Sequence, residues 1–455
     1  TLFSIPTWPG DSSPLFLQAE RNAWQAQEAL RHCYHYIHGW LAHRDPVSGL
    51  IPRNLTRSWF WNAQDSAADN YPFMVLAASL LDRDLYQTTL RQMLQTEIRL
   101  TNRLDNLPDD FDFATQKFVH PEIELPRLIF GGSEYMKDGL MPLTEWLGPT
   151  EWTGRMIGIM ESVWKHAPVD TPRGKLPAGD HEVNGDQLQT LCRLYWMTGD
   201  ERYQAWAFRI ADYFLLDRHP ADEEKLSLDD HGCEIIGGLS EAYVLAAYKD
   251  PDRRETYRAP IHRLLDRILE VAANEDGLFH MQINPRTGTV VTDELTDNWG
   301  YDYNAILTVA QLDNEPRYAE AVRHVLENVH KYLDYPWENR GADGYADTIE
   351  GGINLLNRVP VDSGFAWVDQ SMAILLAKQR PDGIIEGWHG DGNFTRTALM
   401  YALWKTQGAG AHPWRADLAL GGARDMEGVV LSLTGDWNWS GVVKFDIPRH
   451  RIYFH

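Results

Sequence analysis

Two apolar patterns alternate along the chain. In the first, apolar residues recur every three or four positions with charge between them. GDERYQAWAFRIADYFL (Gly199 to Leu215) and NEPRYAEAVRHVLENVHKYL (Asn314 to Leu333) are the clearest cases, and they also resemble each other as an internal repeat. This spacing predicts helices with one buried face. In the second, nearly every position is apolar or small: MVLAASLL, EIIGGLSEAYVLAAY, YNAILTVAQL, TIEGGINLL and TALMYALW. A helix apolar on most faces belongs inside the molecule. The first pattern predicts outer helices over about 16–43, 149–166, 200–217, 252–273, 315–333 and 361–379. The second predicts inner helices over about 66–82, 183–198, 231–248, 299–313, 344–357 and 392–406. One extra helix is expected near 84–105, followed by a long irregular stretch over 106–148.

Six outer–inner hairpins describe a mainly α fold, an (α/α)6 toroid. A two-helix solenoid would need a fixed period near ~34 residues, whereas the hairpins here vary in spacing. Gly237-Gly238 and Gly351-Gly352 lie in inner helices, where a missing side chain allows neighbouring backbones to approach despite its cost in helix propensity. The tail is different. From Asp425 it alternates apolar and polar residues around a TGDW turn, which predicts strands over 428–434, 440–446 and 450–455. The expected organisation is a barrel over 1–424 and a small C-terminal antiparallel sheet over 425–455. Open edges on such a sheet favour pairing with a second copy, a homodimer.

Composition narrows the function. With 42 Lys+Arg against 65 Asp+Glu, the 455-residue chain has a formal charge of −23. That disfavours nucleic acid, which is bound through basic surface, and anionic membranes. No apolar run is long enough to span a bilayer, so a soluble protein is expected, cytoplasmic, periplasmic or secreted. Cys33, Cys192 and Cys233 cannot all pair with one another and form no CxxC motif, so a disulfide framework and a zinc site are not expected. GxGxxG, Walker and GxSxG motifs are absent, and no cofactor or metal is expected. Eighteen Trp supply flat apolar faces suited to sugar rings.

The chemistry-bearing residues cluster where inner helices begin. The six segments are WFWNAQDSAADNYPF, GDHEVNGDQ, DDHGCEII, TDNWGYDYNA, ADGYADTIEGG and EGWHGDGNFTRT. A toroid would bring them to one end of the barrel, with helix N-termini facing the same space. Asp and Asn there could be simple N-caps; the recurring aromatics and histidines are not capping residues. Glycoside hydrolysis needs one protonated carboxyl and one carboxylate. The carboxyl candidates are Asp186, Glu234, Asp347 and Glu350, the last two on one helix face, with Asp69 and Asp391 nearby. Trp61, Trp299, Tyr303, Tyr345, Trp388 and His389 are candidate binding residues, and Arg396 a candidate clamp for a sugar carboxylate. A competing set for β-elimination is Asn184 to neutralise a uronate, with His231 and Tyr301 as base and acid.

The segments DNYPF, NGDQ, DHGCE, NWGYDYN, GYADTIEGG and GWHGDGNF, set in hairpins over about 16–408, resemble the six-hairpin glycosidase superfamily. Barrel plus small sheet looks like exo-acting β-glucuronidases related to unsaturated glucuronyl hydrolases. This resemblance implies an acidic oligo- or polysaccharide as substrate. The NNH signature of alginate-lyase-like toroids is missing. The leading expectation is therefore a glycoside hydrolase acting on a uronic-acid-containing saccharide. A uronate polysaccharide lyase and a non-catalytic saccharide-binding protein are the alternatives.

Overall fold

The computed structural model describes residues 14–57, 59–406, 419–425 and 428–434. The fold is mainly helical, with small antiparallel sheets in its loops. The outer helices are α1 (Pro14–Ala42), α3 (Arg83–Gln87) with α4 (Thr89–Thr101), α7 (Glu151–Lys165), α9 (Glu201–Asp212), α11 (Pro251–Val271), α13 (Pro316–Asn328) and α15 (Asp362–Leu376). The inner helices are α2 (Tyr71–Leu81), α5 (Leu125–Glu134) with α6 (Met141–Leu147), α8 (His181–Thr198), α10 (Cys233–Lys249), α12 (Trp299–Asp313), α14 (Ala342–Leu356) and α16 (Asn393–Thr406). A π-helical turn, Ala63–Asn70, leads into α2, and another, Tyr135–Leu140, joins α5 to α6.

The two apolar patterns sort the helices as expected. In α13 the buried residues Tyr318, Val322, Val325 and Leu326 make one stripe, whereas in α10 nearly every residue from Cys233 to Ala246 is buried. Burial of apolar surface is the main force that selects this arrangement. Each inner helix packs against the next, from the α2 segment through α5, α8, α10, α12, α14 and α16, and α16 packs back on α2. Where α12 meets α14 the backbones touch: a Cβ at Gly300 would lie 2.5 Å from the Gly351 Cα.

One expectation is corrected here. The stretch 106–148 is not irregular, because it holds α5, the second π turn and α6. These form an inner element, and α3–α4 is its outer partner, so the described residues contain seven hairpins rather than six. Pro126, Pro142 and four glycines in this stretch look like loop punctuation, but both prolines sit in the first turn of a helix, where the missing N–H costs nothing.

Connection lengths mark the two ends. Inner-to-outer connections have one to five residues, and outer-to-inner connections thirteen to twenty-seven. The long loops, with their short strands, therefore gather where inner helices begin. Leu226–Ser227, His280–Asn284 and Thr289–Leu295 form the largest of these sheets. In the tail, the expected strand over 428–434 is present as Gly428–Thr434, paired with Ala419–Asp425. The expected strands over 440–446 and 450–455 lie outside the described residues. The three cysteines are buried and unpaired. No helix among the described residues is long and apolar enough to cross a membrane.

Candidate functional site

A cavity of about 1030 Å³, counting the part open to solvent, lies among the inner helices. Its walls come from both π turns and from α5, α8, α10, α12, α14 and α16. A π turn adds one residue per turn and so rotates the following side chains relative to a regular helix. Asp69 lies in the first π turn and Lys137 and Asp138 in the second, and all three face the cavity.

One side is built around Arg396. Its Nη2 is 2.7 Å from Asp347 Oδ1 and its Nε 2.5 Å from Glu350 Oε2. The Tyr301 hydroxyl lies 3.0 Å from Asp347 and 3.2 Å from Glu350 and has one proton to donate between them. Arg396 also donates to the Tyr301 oxygen at 3.2 Å, and the Asn298 amide donates to Asp347 Oδ2 at 3.2 Å. Burial pushes the Asp347 carboxyl well above its usual range, and Arg396 pulls it back only in part. Burial, then Asp347 and Glu350, keep the Tyr301 phenol protonated.

The opposite side is built around Lys137. Its Nζ is 2.8 Å from Asp138 Oδ1 and 2.9 Å from Glu234 Oε1. Burial raises Glu234 to about 7 against the pull of Lys137, with Asp230 and Asp138 adding repulsion. Its second oxygen, Oε2, is buried without a protein partner. Asp138 is also buried, and burial raises it, but Lys137, a hydrogen bond with Glu134 and Arg396 together outweigh burial and lower it. Behind them lie Glu134 and Asp186, both driven well above the carboxylate range, first by burial.

A third cluster closes the mouth. His389 Nε2 lies 3.7 Å from Asp69 Oδ2 and 3.9 Å from Asp65 Oδ1, while its Nδ1 donates to the Gly390 carbonyl at 3.1 Å. Burial alone would lower His389; Asp69, Asp65, Asp343 and Asp391 overcome it and push it up to about 10. Ligand atoms of Asp65, Asp69 and His389 all lie within 4.8 Å of one another, a spacing that could hold a metal ion. Asp65, however, is already paired with Arg53 at 2.5 Å and with Asn62. Gly392 makes the juxtaposition possible, since a Cβ there would lie 1.9 Å from the Asp69 carbonyl oxygen.

Of the residues singled out from the sequence, Asp69, Glu234, Tyr301, Asp347, Glu350, His389 and Arg396 line the cavity. Asp391 and Asp186 are buried close behind it. The expected aromatic wall is not there. Trp61, Trp299, Tyr303 and Tyr345 are core residues: Trp299 Nε1 donates to Thr348 at 2.5 Å and the Tyr303 hydroxyl to the Gly277 carbonyl at 2.7 Å. Trp388 is 65% exposed, with the Arg53 guanidinium 4.8 Å from its ring centre. The elimination set does not assemble. Asn184 is fully buried and donates to the Ala178 and Asp180 carbonyls at 2.9 and 2.7 Å. His231 is exposed and pairs with Glu182 at 2.5 Å, which holds it up near 9.

Sequence reasoning missed Glu134, Lys137 and Asp138 because 106–148 was read as irregular. The signal was present: Glu134 and Asp138 are four apart, with Lys137 three after Glu134, following the apolar run LIFGG. Asp230, Asp343, Asn393 and Arg193 also line the cavity. Asp343 accepts from Asn393 Nδ2 at 2.6 Å.

No family model matches this chain, and no curated protein matches it significantly. Among solved structures, the chain is similar to cellobiose 2-epimerase from Spirochaeta thermophila, at 12% identity over 86% of this chain and 98% of that one, with a TM-score of 0.49. It is also similar to a glycoside hydrolase family 76 mannosidase from Bacteroides thetaiotaomicron, at 12% identity over 85% and 98%, with a TM-score of 0.45. A possible member of glycoside hydrolase family 105 from Klebsiella pneumoniae is 10% identical over 61% and 82%, with a TM-score of 0.45. Chemistry does not transfer at such identities.

Proposed function

We propose that the protein is a glycoside hydrolase whose site is the mouth of a closed helical toroid. Glu234 is the general acid, and Glu350, beside Arg396, is the second carboxyl. One observation carries this reading. A carboxyl held near 7 and a pair of carboxyls held by an arginine line the same cavity. Glycosidic cleavage requires that division of labour between two acids with different environments. Held up to about 7, Glu234 can keep near neutral pH the proton that must pass to the leaving oxygen. Glu350, held beside the Arg396 guanidinium, can attack the anomeric carbon or activate a water.

The uronic acid drawn from the resemblance is not supported by the site. Arg396, its expected clamp, is occupied by Asp347 and Glu350. Lys137 is occupied by Asp138 and Glu234, and Arg193 by Glu241. A neutral or cationic sugar suits this cavity better than an anionic one.

The test is digestion of a glycan panel read by both reducing ends and ultraviolet absorbance. New reducing ends that depend on Glu234 support the reading. An unsaturated, absorbing product would instead identify a lyase, and binding without any product a non-catalytic protein.

A further inference from the structure

Eight carboxyl groups but only four basic groups line the cavity. Arg193 is spent on acids outside it, Glu241 at 2.8 Å and Glu145 at 3.8 Å. Arg396 and Lys137 each serve two carboxyls. The imbalance is sharpest on the wall of Asp69, Asp343 and Asn393. Asp391 stands behind it, and His389 is the basic group nearest to these acids. No hydrogen bond to the Asp69 carboxyl is among the contacts of the described residues. Asn393 is 6% exposed, and its Oδ1 is buried with no partner although its Nδ2 is bonded to Asp343. This wall therefore offers more carboxyl acceptors than donors, with His389 the positive charge set against Asp69, Asp343 and Asp391 together.

We propose that the cavity takes a sugar bearing a protonated amine, with the ammonium seated on the wall formed by Asp69, Asp343 and Asn393. An ammonium brings three donors and a second positive charge beside that of His389, and buried carboxyls with too few such partners are costly. This inference rests on the saccharide reading of the site and adds to it the substrate class. Proton uptake gives it a signature. In the empty cavity, burial drives Asp69 and Asp343 well above the carboxylate range. Repulsion from Asp138 and Asp65 adds to it at Asp69, and from Asp347, Asp391 and Glu338 at Asp343, with His389 opposing in both. An ammonium seated there favours their ionised forms, so binding releases protons.

The test is calorimetric titration of the full chain with matched methyl glycosides in the gluco, galacto and manno series. Each series carries an amine, an N-acetyl group or a hydroxyl at carbon 2. In at least one series the amine is expected to bind about ten-fold tighter than the hydroxyl or more. Heats in two buffers of different ionisation enthalpy should show proton release for the amine alone. Asp343→Asn and Asn393→Ala should each reduce the preference, the second serving if the first fails to fold. Equal or weaker binding of the amine in every series overturns the inference. So does tight Ca²⁺ or Mn²⁺ binding that excludes the amine, since a metal would then supply the charge. An amine preference with no bond cleaved would leave this inference standing and sink the hydrolase reading. Cleavage of neutral glycans with no amine preference would do the reverse.

Discussion

Arg396 and Lys137 face each other's territory across the cavity, and each is shared by two carboxyls. The outcomes differ. Around Arg396, Nη2 donates to Asp347 while Nε stands 2.5 Å from Glu350 as an ion pair, and Tyr301 adds a third link. Around Lys137 a single ammonium must divide itself, and the division is uneven: Asp138 is lowered, while Glu234 is raised to about 7. A planar guanidinium with several donors can hold two carboxylates in fixed geometry; a point charge favours one over the other. The first arrangement fixes two carboxyls in place, with burial still holding Asp347 well above its usual range; the second drives its two carboxyls in opposite directions. The amino-acid inventory is nearly the same, so burial and the neighbours of each carboxyl, Asp230 beside Glu234 and Glu134 beside Asp138, divide the two outcomes.

Removing the proton donor should have the largest effect. Glu234→Gln is expected to lower kcat by about 10²–10⁴ while leaving binding of the matched glycoside within a few-fold, measured by steady-state kinetics and calorimetry. Full activity in this variant would sink its assignment.

Breaking the other knot should be felt in stability as well as turnover. Arg396→Met leaves Asp347 and Glu350 buried beside each other without a counter-charge, and is expected to cost about 3–5 kcal/mol in urea unfolding. Arg396→Lys should recover part of the stability but not the two-way geometry.

The pH dependence tests the uneven division directly. Glu234 is raised from 4.5 to about 7 by folding, so the folded state holds more protons than the unfolded state between these values. Its share of stability is fully present below about 4.5 and is lost as pH rises through about 7, a change of roughly 3 kcal/mol. Denaturant midpoints from pH 4 to 8 should show that decline, and Glu234→Gln should flatten it. The alkaline limb of kcat/KM should fall near 7 in the native protein. Lys137→Met removes the charge that restrains Glu234 and should move that limb upward by about one pH unit, checked by a pH–rate profile.

The smallest effect is expected at the residue that looked most like a sugar platform. Trp388→Ala should change stability by about 0.5 kcal/mol or less and leave turnover within a few-fold, because the ring lies 65% exposed beside Arg53 rather than in the cavity. A large loss in KM would place it at an extended subsite.

The helices were legible because their apolar periods are strong. Inner helix α12 was read at its observed bounds, and α8, α10, α14 and α16 to within a few residues. Five of the carboxyl and cation positions that line the cavity were legible too, because Asp69, Glu234, Asp347, Glu350 and Arg396 stand in dense polar runs at inner-helix starts. The tryptophans misled for a physical reason. An aromatic at the first turn of a buried helix fills the gap to the outer layer as readily as it faces a ligand, and Trp299 does so against Trp367, with ring centres 6.0 Å apart. The π turns were illegible, since one extra residue per turn leaves little trace in apolar spacing.

By itself, the sequence determined the helices other than α5 and α6, which of them are buried, and that acids crowd the inner-helix starts, because hydrophobic burial and helix periodicity are local and additive. Only the tertiary structure decided that Glu134, Lys137 and Asp138 join the site, that Asn184 and Trp299 leave it, and which carboxyl is paired with which cation. Those outcomes depend on distances of a few ångströms between residues far apart in the chain, where Coulomb energy and desolvation change most steeply.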